Sequence, residues 1–214
     1  MNDVFLYYSE NASYVFAQFV RHFLISLYGV IFAAIVAIPL GFFIARKGNL
    51  SKILIGIANV MQTIPSLAML AILMFAIGTG PNTVVFAVFL YAILPILKNT
   101  VSGINSVTPA LVDAAKGMGM TRFQLMTKVE LPLAISIIMG GVRNALVLAI
   151  GVTAVGTFIG AGGLGDIITR GITVADGSAI IIAGAIPTAL MAVVADFVLG
   201  IIENKLTPRT FTKV

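Results

Sequence analysis

The sequence predicts an all-α polytopic membrane protein with about five transmembrane helices and one long polar loop. Hydrophobic residues make up 59% of the 214 positions, charged residues make up 10%, and the mean hydropathy is +1.09. A soluble domain of this size has a larger fraction of charged residues and a smaller fraction of apolar residues. A membrane-spanning helix needs about 20 apolar residues. Four uncharged stretches meet that length, and the longest of them holds two spans: residues 23–45, 53–97, 144–165 and 177–195.

The amino-terminal residues 1–22 are predicted to form an outer amphipathic segment with aromatic side chains at the membrane interface. This segment includes Asp3 and Glu10 and lacks a basic leader with a small-residue cleavage site, so no removable signal peptide is expected. Residues 23–206 form the predicted transmembrane domain with a polar loop at 99–132, and residues 207–214 form a tail.

The five spans follow from the uncharged stretches and the breaks in them. The first helix is predicted from about Phe23 to Ala45. A turn signal at residues 78–82 divides the next stretch into a second helix, itself broken at Pro65, and a third helix over about 83–97. Two more helices are predicted over about 133–157 and 179–202, with a glycine-rich outer loop between them.

The placement of lysine and arginine predicts the orientation of the chain. With the amino terminus outside, the inner segments hold ten basic residues and the outer segments hold only Arg21 and Arg170, leaving the intramembrane Arg143 uncounted. This is a positive-inside bias, which puts the carboxyl terminus in the cytoplasm. The formal net charge of +5 therefore reflects membrane topology, and no nucleic-acid partner is expected.

The polar loop is predicted to hold two short helices joined by a sharp turn. Thr108 caps the first helix, with a proline in its first turn, and Asp113 is expected near the positive end of the helix dipole, where a carboxylate contributes about 0.3 to 1 kcal/mol. Gly119 permits the turn. Thr121 caps the second helix, which is predicted to end at Leu131-Pro132.

The same loop is predicted to present a docking surface. Ala114 and Ala115 offer a flat, small surface, and Met118, Met120 and Phe123 are expected to project as an apolar knob that adapts to a partner groove. The alternative is an ordinary loop whose apolar residues rest on the bilayer.

The spacing of these residues resembles a known family. The loop reads Asp113-Ala114-Ala115, three residues, Gly119, nine residues and then Val129-Glu130-Leu131-Pro132. This pattern is similar to the EAA loop of binding-protein-dependent ABC importer permeases. In that family the loop forms coupling helices that seat in a groove of the ATPase subunit. Asp113 replaces the usual Glu and Val129 replaces a frequent Ile. The resemblance implies a type I importer permease fold, and it assigns an ATPase-coupling role to the nine residues Asp113, Ala114, Ala115, Met118, Gly119, Met120, Thr121, Leu131 and Pro132.

Two further stretches narrow the resemblance. Residues 59–67 and 157–165 resemble the permeases of osmoprotectant importers for glycine betaine, carnitine or choline, which act in osmotic stress, and methionine permeases are a near neighbour. The resemblance implies a bacterial plasma membrane location and a second permease subunit, with a paralogue favoured over a second copy. It also implies an extracellular substrate-binding protein and two ATPase subunits that bind ATP and magnesium.

A polar patch interrupts the second helix at mid-membrane depth. Neutral side chains beside a helix-breaking proline suit the lining of a translocation pathway for a quaternary amine: Met61, Gln62, Thr63, Pro65 and Ser66. Intramembrane polar groups also hold helices together, and that alternative stays open. The chain has no tryptophan, so a high-affinity aromatic cage is expected on the separate binding protein.

The glycine-rich segment is predicted to serve helix packing or an outer gate, through Gly156, Phe158, Gly160, Gly162, Gly163 and Gly165. Gly156 and Gly160 have the GxxxG spacing of closely packed helices. Gly160, Gly162 and Gly165 also match the dinucleotide fingerprint, but that motif needs a preceding strand, and here the glycines end a predicted membrane helix.

Arg143 and Asp196 are charges at membrane depth, where each costs roughly 2.5 to 3.5 kcal/mol, so a structural ion pair between them is predicted. A proton-coupling role for Asp196 is the alternative. His22, the single histidine, is expected to anchor the first helix at the outer interface and not to act as a ligand.

Several chemistries are not expected in this chain. The dipeptide Gly-Lys is absent, so no Walker A phosphate loop is possible and ATP hydrolysis must occur on another polypeptide. With no cysteine and one histidine, no catalytic residues and no metal site are predicted. Two rivals to a permease subunit remain, an ion-coupled secondary transporter or channel and a membrane anchor without transport activity.

Overall fold

The computed structural model describes residues 2–207, and every regular element in this range is helical. The long helices are α1 (Asn2–Ile44), α4 (Pro81–Asn105), α7 (Leu131–Val155) and α9 (Ser178–Leu206). The shorter ones are α2 (Gly48–Thr63), α3 (Ser66–Ile77), α5 (Pro109–Gly117), α6 (Arg122–Leu125) and α8 (Leu164–Thr173). A π-helical turn (Met126–Glu130) precedes α7, and a 3-10 turn (Gly156–Ile159) follows it. The predicted tail lies almost entirely outside the described residues.

Four helices in the described part of the chain are long and apolar enough to cross a membrane. The pair α2–α3 is bent by 98° and counts as a fifth span if its two arms cross together. The protein is therefore a multi-pass helical membrane protein, which confirms the predicted fold class. Residues 44–48 and 105–131 lie at one end of the bundle, called here the basic end. Residues 156–177 lie at the opposite, glycine-rich end.

Helix α4 occupies the centre of the bundle and packs against both α1 and α7. Its buried face is formed by Val84, Ala87, Val88, Ala92 and Ile96. Small residues on the neighbouring helices allow close contact, because a Cβ on Gly141 of α7 would lie 2.8 Å from the Pro95 carbonyl oxygen. Backbones that approach through glycine and alanine are the usual means by which helices associate in lipid.

Several predicted boundaries differ from the structure. Helix α1 continues through residue 22, and its only non-helical backbone angles are at Asn11. An interfacial position for residues 1–22 remains a prediction. The third predicted span ends at Asn105 and not near Leu97, with Pro95 inside the helix. The predicted glycine-rich loop contains a ten-residue helix, α8, which is too short and too amphipathic to give a hydropathy signal.

Candidate functional site

Residues 106–130 form a compact unit at the basic end, called here the short-helix module. It has a small core of its own, separate from the core of the bundle, made of Val107, Val112, Ala115 and Leu125. Met120 packs partly against this core. The prediction that Ala115 forms part of the exposed surface is therefore wrong, because its side chain is buried in this core, whereas Met120 is only partly buried.

The turn between α5 and α6 is fixed by hydrogen bonds at both sides. Gly119 has φ +78°, the Met120 N–H donates to the Ala115 carbonyl at 3.2 Å, and the Gly119 N–H donates to Lys116 at 2.9 Å, which is a Schellman motif. Thr121 and Gln124 then form a capping box at the start of α6. The predicted turn at Gly119 and cap at Thr121 are confirmed, whereas Thr108 stands at the N-cap of α5 but its side chain makes no capping hydrogen bond.

Two large apolar side chains at this turn are uncovered by the rest of the chain. Met118 and Phe123 are each 70% exposed, and Ala114 is exposed beside them. We call these three residues the knob. Asp113 lies in the second turn of α5 and pairs with Lys116 at 3.4 Å, so the prediction that it stabilises the amino-terminal end of the helix is wrong.

The module is joined to the bundle in two ways. The second short helix does not end at Leu131-Pro132 as predicted, because a π-helical turn leads directly into α7 and the Leu131 N–H donates to the Met126 carbonyl. Pro132 lies within this continuous helical run and has no N–H, so it donates no hydrogen bond back to the π-helical turn. Arg46, just after α1, donates to Glu130 Oε1 from Nε at 3.0 Å and Nη2 at 2.7 Å.

The polar patch at the bend between α2 and α3 is tied to α4. Pro95 lacks an N–H, so the carbonyl of Tyr91 one turn earlier has no partner within its own helix. Gln62 Nε2 donates to that carbonyl at 2.9 Å, and the Tyr91 hydroxyl donates to the carbonyl of Ile64. This geometry matches the alternative in which Gln62 holds helices together. Thr63 and Pro65 are exposed, while Met61 and Ser66 are partly buried.

The same arrangement occurs a second time, in α9. Pro187 leaves the Ala183 carbonyl without a helical partner, and the Tyr8 hydroxyl of α1 donates to that oxygen at 3.0 Å. Interior prolines thus create acceptors that bind side chains from other helices.

At the glycine-rich end, α1 carries a polar stripe that binds α8 and the segment before it. The four residues are spaced by four and share one helix face, and they are Tyr14, Gln18, His22 and Ser26. The Tyr14 hydroxyl donates to Asp166. The Gly163 N–H donates to Gln18 Oε1 at 2.6 Å, and Ser26 Oγ lies 2.9 Å from Thr153 Oγ1.

His22 is the centre of this stripe and is fully buried. The Leu164 N–H donates to Nδ1 at 3.2 Å, so Nε2 must carry the proton that it donates to the Ile150 carbonyl at 2.9 Å. The prediction of an interfacial anchor is wrong. The i, i+4 polar stripe in the sequence was the signal that could have placed His22 inside the bundle.

The glycines at this end act in different ways. A Cβ on Gly156 would lie 2.6 Å from Val84 Cγ2, and a Cβ on Gly165 would overlap the carbonyl oxygen of Ala154. Gly160 has open space around it and φ +77°, so it ends the 3-10 turn and does not pack a helix. The predicted GxxxG contact is therefore wrong at Gly160. Gly162 and Gly163 also have positive φ.

The segment before these glycines is helical, so the dinucleotide motif lacks its strand. Phe158 is exposed beside them.

Arg143 is held by two carboxylates from α9. Its Nε and Nη2 donate to the two oxygens of Asp196 at 2.9 and 2.8 Å, and its Nη1 donates to Glu203 at 2.9 Å. Glu203 also accepts from Ser136 Oγ at 2.7 Å. The sequence analysis missed Glu203, although it lies seven residues after Asp196 on the same face of the helix. Within residues 2–207, His, Asp and Glu side chains form no cluster that could hold a metal ion.

A multi-pass bundle with bent and proline-interrupted helices, and with a separately cored helix pair at one end, has the architecture of a transport permease. Comparison with known proteins agrees. The chain belongs to the family of binding-protein-dependent transport system inner membrane components, whose family profile matches residues 37–208.

Among curated relatives, the chain is 61% identical over 202 residues to the carnitine transport permease protein OpuCD of Listeria monocytogenes, covering 94% of this chain and 91% of that protein. It is 60% identical to the glycine betaine/carnitine/choline transport system permease protein OpuCD of Bacillus subtilis, covering 94% and 88%. Its identity to OpuCB, a second B. subtilis permease named for that system, is 39%, covering 98% and 96%.

The fold is also found among solved structures. A chain of the MetNI methionine ABC transporter, in an inward-facing conformation, superposes with a TM-score of 0.82 at 18% identity, covering 91% of this chain and 96% of that chain. At this identity the likeness shows the fold, which is that of a type I importer permease.

Proposed function

We propose that this chain is the permease subunit of an ATP-driven importer for a quaternary-amine compatible solute, such as glycine betaine, carnitine or choline. The observation that carries the proposal is 60–61% identity, over 94% of the chain, to permeases named for these solutes. The methionine transporter shares the fold at 18% identity, so it does not favour methionine as the substrate.

The knob is the part that receives force from the ATPase. Met118 and Phe123 offer adaptable apolar contacts, and the Schellman motif and capping box keep the turn from deforming when it is pushed. The π-helical turn carries the movement into α7, and the Arg46–Glu130 pair carries it to the end of α1. Two ATPase subunits, which hold ATP and magnesium, perform the hydrolysis.

The second permease subunit completes the pathway. The bent pair α2–α3 leaves large apolar side chains uncovered, among them Val60, Ile72 and Phe75, which is 89% exposed. A partner that packs beside this face would enclose Thr63 and Pro65, the exposed residues of the predicted pathway lining. The lower identity to a second permease of the same named system supports a paralogue as the partner.

The amino terminus and the glycine-rich end are assigned to the outside, where the extracellular binding protein delivers its solute. Ten basic residues on the inner segments support this assignment. The polar stripe of α1 fixes α8 and the glycine segment to the bundle, so that α1 and the outer gate move as one body. Asp196 is held bidentately by Arg143, which supports a structural role for the carboxylate and disfavours proton coupling.

Uptake into vesicles tests this function. The chain is reconstituted with its partner permease, its ATPases and its binding protein, and entry of labelled carnitine, glycine betaine, choline and methionine is measured. We expect uptake of one or more quaternary amines that requires ATP and the ATPases. A matched control uses ATPase subunits that bind but do not hydrolyse ATP.

The outcomes separate the alternatives. Uptake driven by an ion gradient without the ATPases would establish the secondary transporter. Selective uptake of methionine would overturn the substrate class and leave the ATP-driven mechanism in place. No uptake with a fully assembled complex would favour the membrane anchor.

A further inference from the structure

A groove of about 540 Å³ separates the end of α1 from the short-helix module. Four basic side chains line it, and they are Arg46, Lys47, Lys116 and Arg122. Glu130 is the single acidic residue in the lining. The groove therefore carries a net positive charge, and neither the knob nor the proposed pathway uses it.

The four basic side chains differ in how far carboxylates of the same chain already neutralise their charge. Arg46 binds the buried carboxylate of Glu130, so this pair neutralises itself. Lys116 contacts Asp113 at 3.4 Å, but both side chains are mostly exposed, and such a pair contributes little. Lys47 and Arg122 have no carboxylate within 4 Å among residues 2–207, and Lys47 Nζ lies 3.4 Å from the centroid of the Phe43 ring. Two cations thus remain for an anionic ligand.

The remaining lining is apolar and belongs to both bodies that the groove divides. Phe42 and Phe43 come from the end of α1, while Val112 and Leu125 come from the core of the module. The apolar span of α1 ends at Ile44, two residues before Arg46. The groove thus lies where hydrocarbon gives way to the polar surface, and its ligand should have an anionic head and an apolar tail.

We propose that one anionic phospholipid occupies this groove, with its phosphate beside Lys47 and Arg122 and its acyl chains along Phe42 and Phe43. The module has its own core, and the Arg46–Glu130 ion pair joins it to the end of α1. A phospholipid in the groove supplies a second tie between the module and α1. The lipid is then a structural part of the coupling apparatus, whatever solute the importer carries.

Lipid retention by the purified complex tests the site. The complete importer is extracted from membranes containing phosphatidylglycerol, and the phosphatidylglycerol bound per complex is counted by native mass spectrometry. The groove variant is Lys47→Gln with Arg122→Gln. The control is Lys52→Gln with Lys98→Gln, which removes the same charge from two exposed residues outside the groove lining.

We expect the wild type and the control to retain one phosphatidylglycerol that the groove variant loses. Each basic residue near an anionic lipid contributes about fivefold in affinity, so the loss of two corresponds to about 30-fold weaker binding. Equal retention by all three proteins would overturn the proposal. If the double variant fails to assemble, the two single variants are measured, and each should bind phosphatidylglycerol about fivefold more weakly.

A second experiment distinguishes the lipid from a soluble anion. The importer is reconstituted in phosphatidylcholine alone or with phosphatidylglycerol, and ATP hydrolysis stimulated by the solute-loaded binding protein is measured with and without added inorganic phosphate. We expect phosphatidylglycerol to raise the stimulation in the wild type and control but not in the groove variant. Restoration by inorganic phosphate in phosphatidylcholine would refute the lipid assignment. Because lipid retention is counted without transport, a wrong solute would leave the first experiment valid.

Discussion

The hydrogen bond between Gln62 and the Tyr91 carbonyl gives the sharpest test of how this bundle is held together. If Pro95 is the reason that this carbonyl needs an external donor, then Pro95→Ala makes Gln62 dispensable, because the new N–H at position 95 bonds the carbonyl within α4. The variants are Gln62→Leu, Pro95→Ala and the pair together. A thermodynamic cycle measures how the two changes depend on each other.

The magnitude follows from the contact at 2.9 Å. An interhelical hydrogen bond in a membrane protein contributes about 0.6 kcal/mol on average, and up to about 1.7 kcal/mol. Leaving a buried carbonyl without any donor costs about 1 to 3 kcal/mol. We therefore expect Gln62→Leu to lower the free energy of unfolding by about 1 to 2 kcal/mol in the wild type. In the Pro95→Ala background the same change should cost less than about 0.5 kcal/mol.

The assay is reversible unfolding of the purified permease in mixed micelles by titration with SDS, followed by circular dichroism. Thr63→Val is the matched control, because the Thr63 hydroxyl donates to the Val60 carbonyl within its own helix. The effects of Thr63→Val and Pro95→Ala on the free energy of unfolding should therefore be additive. A Gln62→Leu cost that is equal in both backgrounds would refute the reasoning. Tyr8→Phe with Pro187→Ala repeats the test at the second proline.

Three further predictions concern the glycine-rich end and the ion pairs. Gly165→Ala should destabilise the bundle by about 1 to 3 kcal/mol, since its Cβ would overlap Ala154, while Gly151→Ala, with open space, should be neutral or stabilising. The same SDS titration checks this, and equal effects would contradict it. His22→Leu should destabilise the bundle by about 1 to 3 kcal/mol, because it leaves two backbone groups without partners, and His22→Asn should cost less by keeping an acceptor for the Leu164 N–H. Thermal unfolding of the assembled complex ranks the two variants, and the reverse order would show that the hydrogen bonds are unimportant. Charge reversal at Arg143 or Asp196 alone should lower the yield of assembled complex, and the double swap should recover part of it. Failure to recover any yield would count against the structural ion pair.

The spans were predictable because they depend on long uncharged stretches, which hydropathy detects directly. The break at Pro65, the turn at Gly119 and the cap at Thr121 were predictable for a related reason, since each depends on the chemistry of one residue. The continuation of the third helix past Leu97 to Asn105 was not, because Lys98 ends the uncharged stretch from which the span was predicted. Helix α8 escaped detection because it is short and amphipathic, and contacts with α1 and α9 hold it in place.

The residues of the candidate site also divide into those that local sequence predicts and those whose position depends on tertiary contacts. The knob residues Met118 and Phe123 were identified from their spacing, whereas the inward orientation of Ala115 and Met120 depends on the small core of the module. The burial of His22 depends on partners more than 120 positions away in the chain. A lone histidine beside aromatic residues looks interfacial until those partners are known.

The most direct test of the account is a cross-link from the knob. The chain contains no cysteine, so Met118→Cys gives the importer's permease a single reactive thiol at an exposed position of the knob. Its control is Ile172→Cys, at a position that is 65% exposed at the glycine-rich end. With a short thiol-reactive photo-cross-linker in native membranes, we predict that the Met118→Cys variant captures the ATPase subunit, that the yield changes when ATP is bound, and that the Ile172→Cys variant captures no ATPase. An ATPase cross-link from position 172 but none from position 118 would contradict the claim that the knob receives the force of ATP hydrolysis.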